Sequence, residues 1–258
     1  NMEYILREAV TQKEKGADIL DVNVGLPEIN ESEVITGVVK EIQSIIDLPL
    51  QIDSSDAGAI EAALRIYNGK AVINSVNGKA EIMDTIFKIA RKYGACVVGL
   101  TLDENGIPSS AEERFKIAEK IVNTAEKYGI PKENLLIDCL VLTASAQQKE
   151  VSETLKAITM VREKLGVKTV LGVSNVSFGL PDRALLNRTF LTMALHSGLT
   201  TPILNPQSEE MMHIIKAFNV LTNQDKDSAE YIDFFNNSDT KKEIIKNTDL
   251  ELPDIIRL

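Results

Sequence analysis

Tryptophan is absent from this chain of 258 residues, and aromatic residues make up only 5% of it. Base-stacking platforms and aromatic sugar-binding clefts are therefore not indicated, because both are built from such rings. Lys and Arg are interspersed with acids, and the formal net charge of −10 argues against a nucleic-acid surface. Polar side chains are left to provide the specificity of any binding site.

Cysteine and long apolar runs are also scarce. Cys96 and Cys139 each lie in an apolar run, which is typical of reduced thiols in the cytoplasm. Neither is spaced with a His as zinc ligands are, so we expect no metal in this chain. No apolar stretch approaches the ~18 residues of a membrane span, and no signal-peptide pattern is present. The sequence predicts a cytoplasmic protein without a membrane partner.

Helical and strand patterns alternate along the chain, which indicates parallel βαβ units. Seven short apolar runs that end in a polar residue are predicted strands: residues 19–23, 50–53, 71–74, 96–101, 135–138, 169–173 and 202–205. Asn30 with Glu33, and Ser110 with Glu113, fit the capping box that begins a helix. Five glycines fit the position that ends a helix: Gly16, Gly94, Gly129, Gly166 and Gly198.

The predicted fold is α/β, a (β/α)₈ TIM barrel. The first predicted element is a helix over residues 3–15, so we expect the first of the eight strands to precede Asn1. The predicted domains are a barrel over residues 1–222, with its last helix at 208–221, and a linker or docking tail over 223–258. That tail is rich in Asn, Asp and Lys, has an aromatic patch at 231–235, and is compatible with another helix at 252–258.

The carboxyl ends of parallel strands meet at one mouth of a barrel, so residues far apart in sequence become neighbours there. Polar residues at these positions are Asn23, Asp53, Asn74, Asp138, Ser174, Asn175 and Asn205. Each alone is also a residue that turns select, but a set chosen only for turns would contain more Gly and Pro. Together they suit a flat heterocycle, whose aminopyrimidinone edge pairs with carboxylates such as Asp138 and Asp53 and with the Asn74 amide.

Residues 172–183, GVSNVSFGLPDR, form the most informative segment. A hydrolase nucleophile elbow would need Gly where this chain has Val176, and neither histidine is placed as its base. Arg183 is able to reach a ligand carboxylate or carbonyl, or to pair with an acid on its own helix. No Gly-rich phosphate loop and no strand-end Lys is present, which makes aldolase or sugar-phosphate chemistry a weaker interpretation.

The segments at 21–25, 52–54 and 74–75, Asp138, and above all residues 172–183 resemble the pterin-binding methyltransferase family. The similarity extends from about Gly16 to about His213. SNVSFGLPDR is most similar to the folate-binding domain of cobalamin-dependent methionine synthase. The alternatives are the methyltetrahydrofolate:corrinoid protein methyltransferases of acetogens and, third, dihydropteroate synthase, which shares the fold. The family's first strand supplies a Glu to the site, and that strand would precede Asn1.

The resemblance implies that the chain binds 5-methyltetrahydrofolate and transfers its N5 methyl group to the Co(I) of a corrinoid held on another domain or protein, as part of methionine synthesis from homocysteine. It implies Asn175 as the catalytic residue, with its carbonyl oxygen toward a protonated N5. The implied substrate-binding residues are Asn23, Asp53, Asn74, Asp138, Gly172, Ser174 and Arg183. A folate-binding module that is active only beneath a docked corrinoid domain, a barrel without catalysis, and a homodimer all stay open.

Overall fold

The computed structural model describes residues 1–25 and 29–239 of the chain, which divides into two compact units, residues 1–214 and 215–258. Helices and strands alternate through the first unit. Its elements are α1 Met2–Glu14, β1 Leu20–Asn23, α2 Glu31–Ile45, β2 Leu50–Asp53, α3 Ala57–Ile66, β3 Val72–Asn77, α4 Ala80–Tyr93, β4 Cys96–Leu100, α5 Ala111–Lys127, β5 Leu135–Asp138, α6 Ala144–Met160, β6 Lys168–Gly172, α7 Arg183–His196, β7 Thr201–Ile203 and α8 Glu209–Leu221, whose last residues belong to the second unit.

The seven strands form one parallel sheet in the order β1 to β7, so each strand pairs with the next one along the chain. Sequential parallel strands joined by helices are the arrangement of α/β barrels. The prediction of an α/β fold of the TIM-barrel type with seven strands is therefore confirmed. Among the described residues no pairing joins β7 to β1, and an eighth strand ahead of Asn1 stays a prediction.

The predicted helix signals are present where the sequence placed them. Asn30 Oδ1 accepts from the Glu33 N–H at 3.3 Å at the start of α2, and Ser110 Oγ accepts from the Glu113 N–H at 3.3 Å at the start of α5. All five glycines that were predicted at helix ends have a positive φ. At Gly94, for example, a left-handed conformation with φ of 70° ends α4, which a residue with a Cβ adopts only at a cost.

An apolar cluster lies on the inward face of the sheet. Its buried members are Val72, Val98, Leu136 and Val170, and Ile19, Cys96, Leu100 and Ile203 pack against them. Full burial of one Val or Leu side chain contributes about 1.5–3 kcal/mol. The opposite face is covered by helices: a Cβ on Gly99 would lie 2.9 Å from Cγ2 of Ile121, so Gly99 allows α5 to approach β4 closely. At the carboxyl ends of the strands, inward-facing polar side chains lie on β1, β2, β3 and β5.

Four strand ends differ from the prediction, that of β4 by one residue, and four strand starts shift by one residue. β3 continues to Asn77 instead of ending at Asn74, because pairing with β4 resumes after an irregularity between Asn74 and Val76. β6 ends at Gly172, since residues Val173–Ser177 form a 3₁₀ helix. β7 ends at Ile203, which leaves Asn205 in the following turn.

The described part of the second unit contains a short 3₁₀ helix, Lys226–Ser228, and α9, Ala229–Asp239. The Asp225 carboxylate accepts from the Glu230 N–H at 3.1 Å and the Tyr231 N–H at 2.9 Å, and so caps α9. The Tyr231 and Phe235 rings lie 4.6 Å apart, within the predicted aromatic patch. The domain boundary at residue 222 stays a prediction, and residues 252–258 lie outside the described residues. Within residues 1–25 and 29–239, no helix is both long and apolar enough to cross a membrane.

Candidate active site

Three of the predicted site residues lie side by side at the carboxyl ends of the first three strands. The strand register pairs Asn23 with Asp53, and Asp53 with Asn74. Paired residues of neighbouring parallel strands face the same side of a sheet at a spacing of about 4.8 Å. Asn23 Nδ2 donates to Asp53 Oδ2 at 2.9 Å. The Asn23 amide therefore orients the Asp53 carboxylate and, among the described residues, leaves its other oxygen for a ligand.

Asp138 ends β5 and is buried, with 9% of its surface exposed. Its Oδ1 accepts from the Leu140 N–H at 2.7 Å. Burial raises the pKa of this carboxyl to about 7, although the Leu140 hydrogen bond and the positive charge of Arg114 lower it. A carboxyl with such a pKa exchanges a proton near neutral pH, and as a carboxylate it accepts hydrogen bonds from adjacent donors of a heterocycle.

Asp21 is a further acid at the site that the sequence analysis missed. It lies on β1 two residues before Asn23, on the same face, and its Oδ1 accepts from Gln51 Nε2 at 2.7 Å. Asp21 is exposed on β1, which among the described residues pairs only with β2. Desolvation by the surrounding protein nevertheless raises the pKa of Asp21 to about 6; the Gln51 hydrogen bond lowers it, the Asp53 charge raises it and an Asn74 hydrogen bond lowers it. The sequence feature that could have revealed Asp21 is the two-residue period of a strand, which places Asp21 on the same face as Asn23.

The segment after β6 places Asn175 over the end of that strand. Asn175 lies in the 3₁₀ helix Val173–Ser177 and is exposed. A Cβ on Gly172 would lie 3.0 Å from Asn175 Nδ2 and 3.7 Å from its Cγ. Gly172 therefore leaves room for the Asn175 amide to fold back against the strand end.

Arg183, at the start of α7, holds the same segment in place. Its Nε donates to Ser177 Oγ at 3.0 Å, and one terminal nitrogen donates to the Ser174 carbonyl at 3.2 Å. The guanidinium also lies over the half-exposed ring of Phe178, 4.3 Å from its centroid, a cation–π contact worth about 0.5–1 kcal/mol at an exposed site. A bracing role is thus visible, while the predicted contact of Arg183 with substrate stays a prediction.

A cleft of about 330 Å³ lies beside this segment, within the first unit. It is lined by Ser174, Arg183, Ala184, Asn187, Leu204, Asn205, Ser208 and Met211. Within the described residues, no group of three or more His, Cys, Asp or Glu side chains is arranged to hold a metal ion.

The predicted site residues thus fall into two sets at the carboxyl ends of the strands. Asn23, Asp53 and Asn74 form a row on β1 to β3. The second set lies at the end of β6, in the segment that follows and at the start of α7: Gly172, Ser174, Asn175 and Arg183. Asp138 lies at the end of β5, between these strands in the sheet order. Their assignment to substrate stays a prediction.

Comparison with known proteins shows which family the chain belongs to. A family model described as pterin binding enzyme matches residues 1–205. The chain belongs to this family. The predicted resemblance to pterin-binding enzymes is therefore confirmed.

Two curated relatives of this pterin-binding chain carry functional names. It is 29% identical over 232 residues to a methylcorrinoid:tetrahydrofolate methyltransferase of Eubacterium limosum, a match that covers 88% of this chain and 85% of that protein. It is 32% identical over 210 residues to a methionine synthase of Mycobacterium leprae (strain TN), covering 76% of this chain and 17% of that protein.

Solved structures of dihydropteroate synthases resemble the chain in fold. The dihydropteroate synthase of Yersinia pestis in complex with a sulfonamide drug has a TM-score of 0.68 at 15% identity, covering 85% of this chain and 87% of that one. The enzyme of Coxiella burnetii in complex with pteroic acid has a TM-score of 0.62 at 17% identity, with 85% and 87% covered. At these identities the likeness shows the fold alone.

Proposed function

We propose that this chain is a methyltransferase that binds the pterin ring of 5-methyltetrahydrofolate and transfers its N5 methyl group to a corrinoid held on another domain or protein. The observation that carries the proposal is the row Asn23–Asp53–Asn74 together with the buried Asp138 carboxyl, a set of two carboxyls and two amides on the inward face of the strand ends. The family match and the name of the Eubacterium limosum relative support it.

That relative is matched over most of both lengths, so transfer between methyltetrahydrofolate and a corrinoid protein is the form of the function we place first. A role in methionine synthesis is the second candidate, and the methionine synthase match over 210 residues favours it. Dihydropteroate synthase activity is supported by fold likeness only. A cytoplasmic location and a homodimer stay predictions.

The carboxylates account for recognition of the ring. A pterin presents an amino group next to a ring N–H, and one carboxylate accepts from both donors with short, charge-assisted bonds. Among the described residues of the site, Asp138 is the buried carboxyl, and Leu140 bonds only to its Oδ1, which leaves the other oxygen for the ring. The Asn74 amide offers both a donor and an acceptor for the rest of the edge.

Transfer of the methyl group needs a proton at N5. The C–N bond breaks with its electron pair left on nitrogen, and a neutral reduced pterin is a much better leaving group than its anion. Asn175 has no acidic proton, so we assign to its carbonyl oxygen a hydrogen bond from the protonated N5 that strengthens as charge develops. Asp138 is engaged with the ring edge, so Asp21, whose pKa of about 6 lies near neutral, is the acid of the site that we assign to carry that proton.

The experiment is a methyl-transfer assay with 5-methyltetrahydrofolate and either free cob(I)alamin or a corrinoid protein as acceptor. Transfer to both acceptors, saturable in folate, is the expected result. Transfer only to the corrinoid protein would favour a module that acts beneath a docked partner. Folate binding without transfer to either acceptor would contradict the methyltransferase, and no saturable binding would also remove the pterin site and leave aldolase chemistry or a barrel without catalysis.

A further inference from the structure

Arg114 is a charged side chain with no exposed surface, located on α5 outside the row of pterin-site residues. Burial of a guanidinium is costly unless each donor finds an acceptor. All the acceptors of Arg114 are within the protein: the Pro108 carbonyl at 2.7 Å, the Cys139 carbonyl at 3.1 Å, the Leu140 carbonyl at 2.8 Å, Thr154 Oγ1 at 2.6 Å and Glu150 Oε2 at 3.1 Å.

Two of these acceptors are the carbonyls of the residues that directly follow Asp138. Leu140 has a φ of 55°, in the left-handed region that residues with a Cβ rarely occupy. The Leu140 N–H, two residues after Asp138, donates to Asp138 Oδ1 at 2.7 Å. Arg114 thus binds the carbonyls of the Cys139–Leu140 turn, and the Leu140 N–H of the same turn donates to the Asp138 carboxyl.

Two residues of α6, Glu150 and Thr154, also contact Arg114, and we call these three side chains the brace of the turn. Thr154 Oγ1 accepts from Arg114 and lies 3.1 Å from the Leu140 carbonyl, so it reaches the turn as well. Glu150, whose side chain is 19% exposed, forms an ion pair with the guanidinium. Glu153 accepts from the Ala111 N–H at 3.0 Å, which ties the start of α5 to α6.

The charges around Asp138 are few. Burial in the sheet raises the pKa of Asp138, and the facing groups that lower it are the Leu140 N–H and the Arg114 charge. The neighbouring side chains in register on β4 and β6 are Leu100 and Val170, both apolar. The Cys139 thiol is buried next to it, and burial raises the pKa of that thiol, so it stays neutral.

We propose that Arg114 is a positioning residue of the pterin site, which acts through the Cys139–Leu140 turn to fix the Asp138 carboxylate in the orientation that receives the pterin edge. This inference rests on the proposed function, because it assigns a purpose to the brace. It predicts that weakening the brace shifts the titration of Asp138 and weakens folate binding, in addition to any loss of fold stability.

The test compares Thr154→Val with Thr159→Val. Both substitutions remove a hydroxyl from α6, but Thr159 donates to the Ser197 carbonyl at 3.0 Å, away from the turn. Thr154→Val spares the buried charge, so it keeps the test usable if Arg114→Met does not fold. Arg114→Lys, which retains the charge without the planar fork, should fall between wild type and Arg114→Met.

The first readout is the ¹³C NMR titration of the Asp138 carboxyl in the protein without ligand, assigned with Asp138→Asn. We expect Thr154→Val to move this titration to higher pH, because a displaced turn weakens the Leu140 N–H hydrogen bond that stabilises the carboxylate. The second is the Kd for 5-methyltetrahydrofolate, which we expect to rise about fivefold, as for loss of part of a hydrogen-bond network. Thr159→Val should change neither.

The proposal is overturned if the Asp138 titration is unshifted in Thr154→Val and Arg114→Lys, or if Thr154→Val and Thr159→Val shift it equally. Arg114 would then only stabilise the packing of α5 and α6. If the wild type binds no methyltetrahydrofolate, the proposed function fails. The NMR titration would then still decide whether Arg114 controls Asp138.

Discussion

A Cβ on Gly172 would lie 3.0 Å from the side-chain nitrogen of Asn175. The missing side chain at the end of β6 is therefore what allows the Asn175 amide to lie against the strand. This close approach links a backbone feature to the residue that we assign to N5.

Gly172→Ala should displace the Asn175 amide by a few tenths of an ångström and lower the rate of methyl transfer by about tenfold, since catalytic hydrogen bonds depend steeply on position. Single-turnover transfer and thermal unfolding are the measurements. Gly37→Ala is the matched control, because Gly37 lies within α2 and has no atom within 4 Å of the added Cβ. An unchanged rate in Gly172→Ala would contradict the role of this contact.

Asn175→Ala should lower the transfer rate by about 100-fold, the size seen for loss of a donor or acceptor that acts in the transition state. The Kd for 5-methyltetrahydrofolate should change by much less, because the hydrogen bond strengthens only as N5 gains its proton. Rate and Kd are measured on the same preparation. Equal losses in both would contradict this role of Asn175.

Asp138→Asn should make the protein more stable at pH 8 than the wild type. A carboxyl whose folded pKa of about 7 lies above its usual 3.8 favours folding when protonated, and this contribution is lost as the pH rises from about 4 through 7. The full shift corresponds to about 4 kcal/mol, which is an upper bound. Urea denaturation of both proteins at pH 4.5 and pH 8 measures the difference. A stability gain that is as large at pH 4.5 as at pH 8 would argue against the buried acid.

Asp21→Asn tests the other acid. If Asp21 carries the proton, transfer from methyltetrahydrofolate by the wild type slows as the pH rises through about 6, where Asp21 loses its proton. The variant should be slower at pH 5.5 and should lose that part of the pH profile. A profile with the same inflection in both proteins would assign the proton to another group.

The sequence predicted the seven strands because each is a short apolar run that ends in a polar residue, a pattern that reflects local burial. Residues at strand ends, such as Asp53 and Asp138, were therefore accessible to sequence reasoning. Asp21 was missed because it lies inside its strand, whereas only strand ends were considered. The two-residue strand period, counted back from Asn23, would have placed Asp21 on the same face.

Arg114, by contrast, could not be found from the sequence pattern. It lies in an ordinary amphipathic helix, and only the approach of α5 to the turn after β5 brings its guanidinium to the Cys139 and Leu140 carbonyls. The continuation of β3 past Asn74 likewise depends on an irregular pairing with β4. Long-range contacts of this kind leave no local signature.

Calorimetric titration of 5-methyltetrahydrofolate into the wild-type chain, Asp53→Ala and Asp84→Ala tests the central claim most directly. Asp84 lies on α4, where it pairs with Lys88 on the outer surface. The account predicts single-site binding by the wild type and by Asp84→Ala, and at least tenfold weaker binding by Asp53→Ala, as expected for loss of a charged hydrogen-bond acceptor. Absence of binding by the wild type, or equal affinities for all three proteins, would contradict a pterin site at these strand ends.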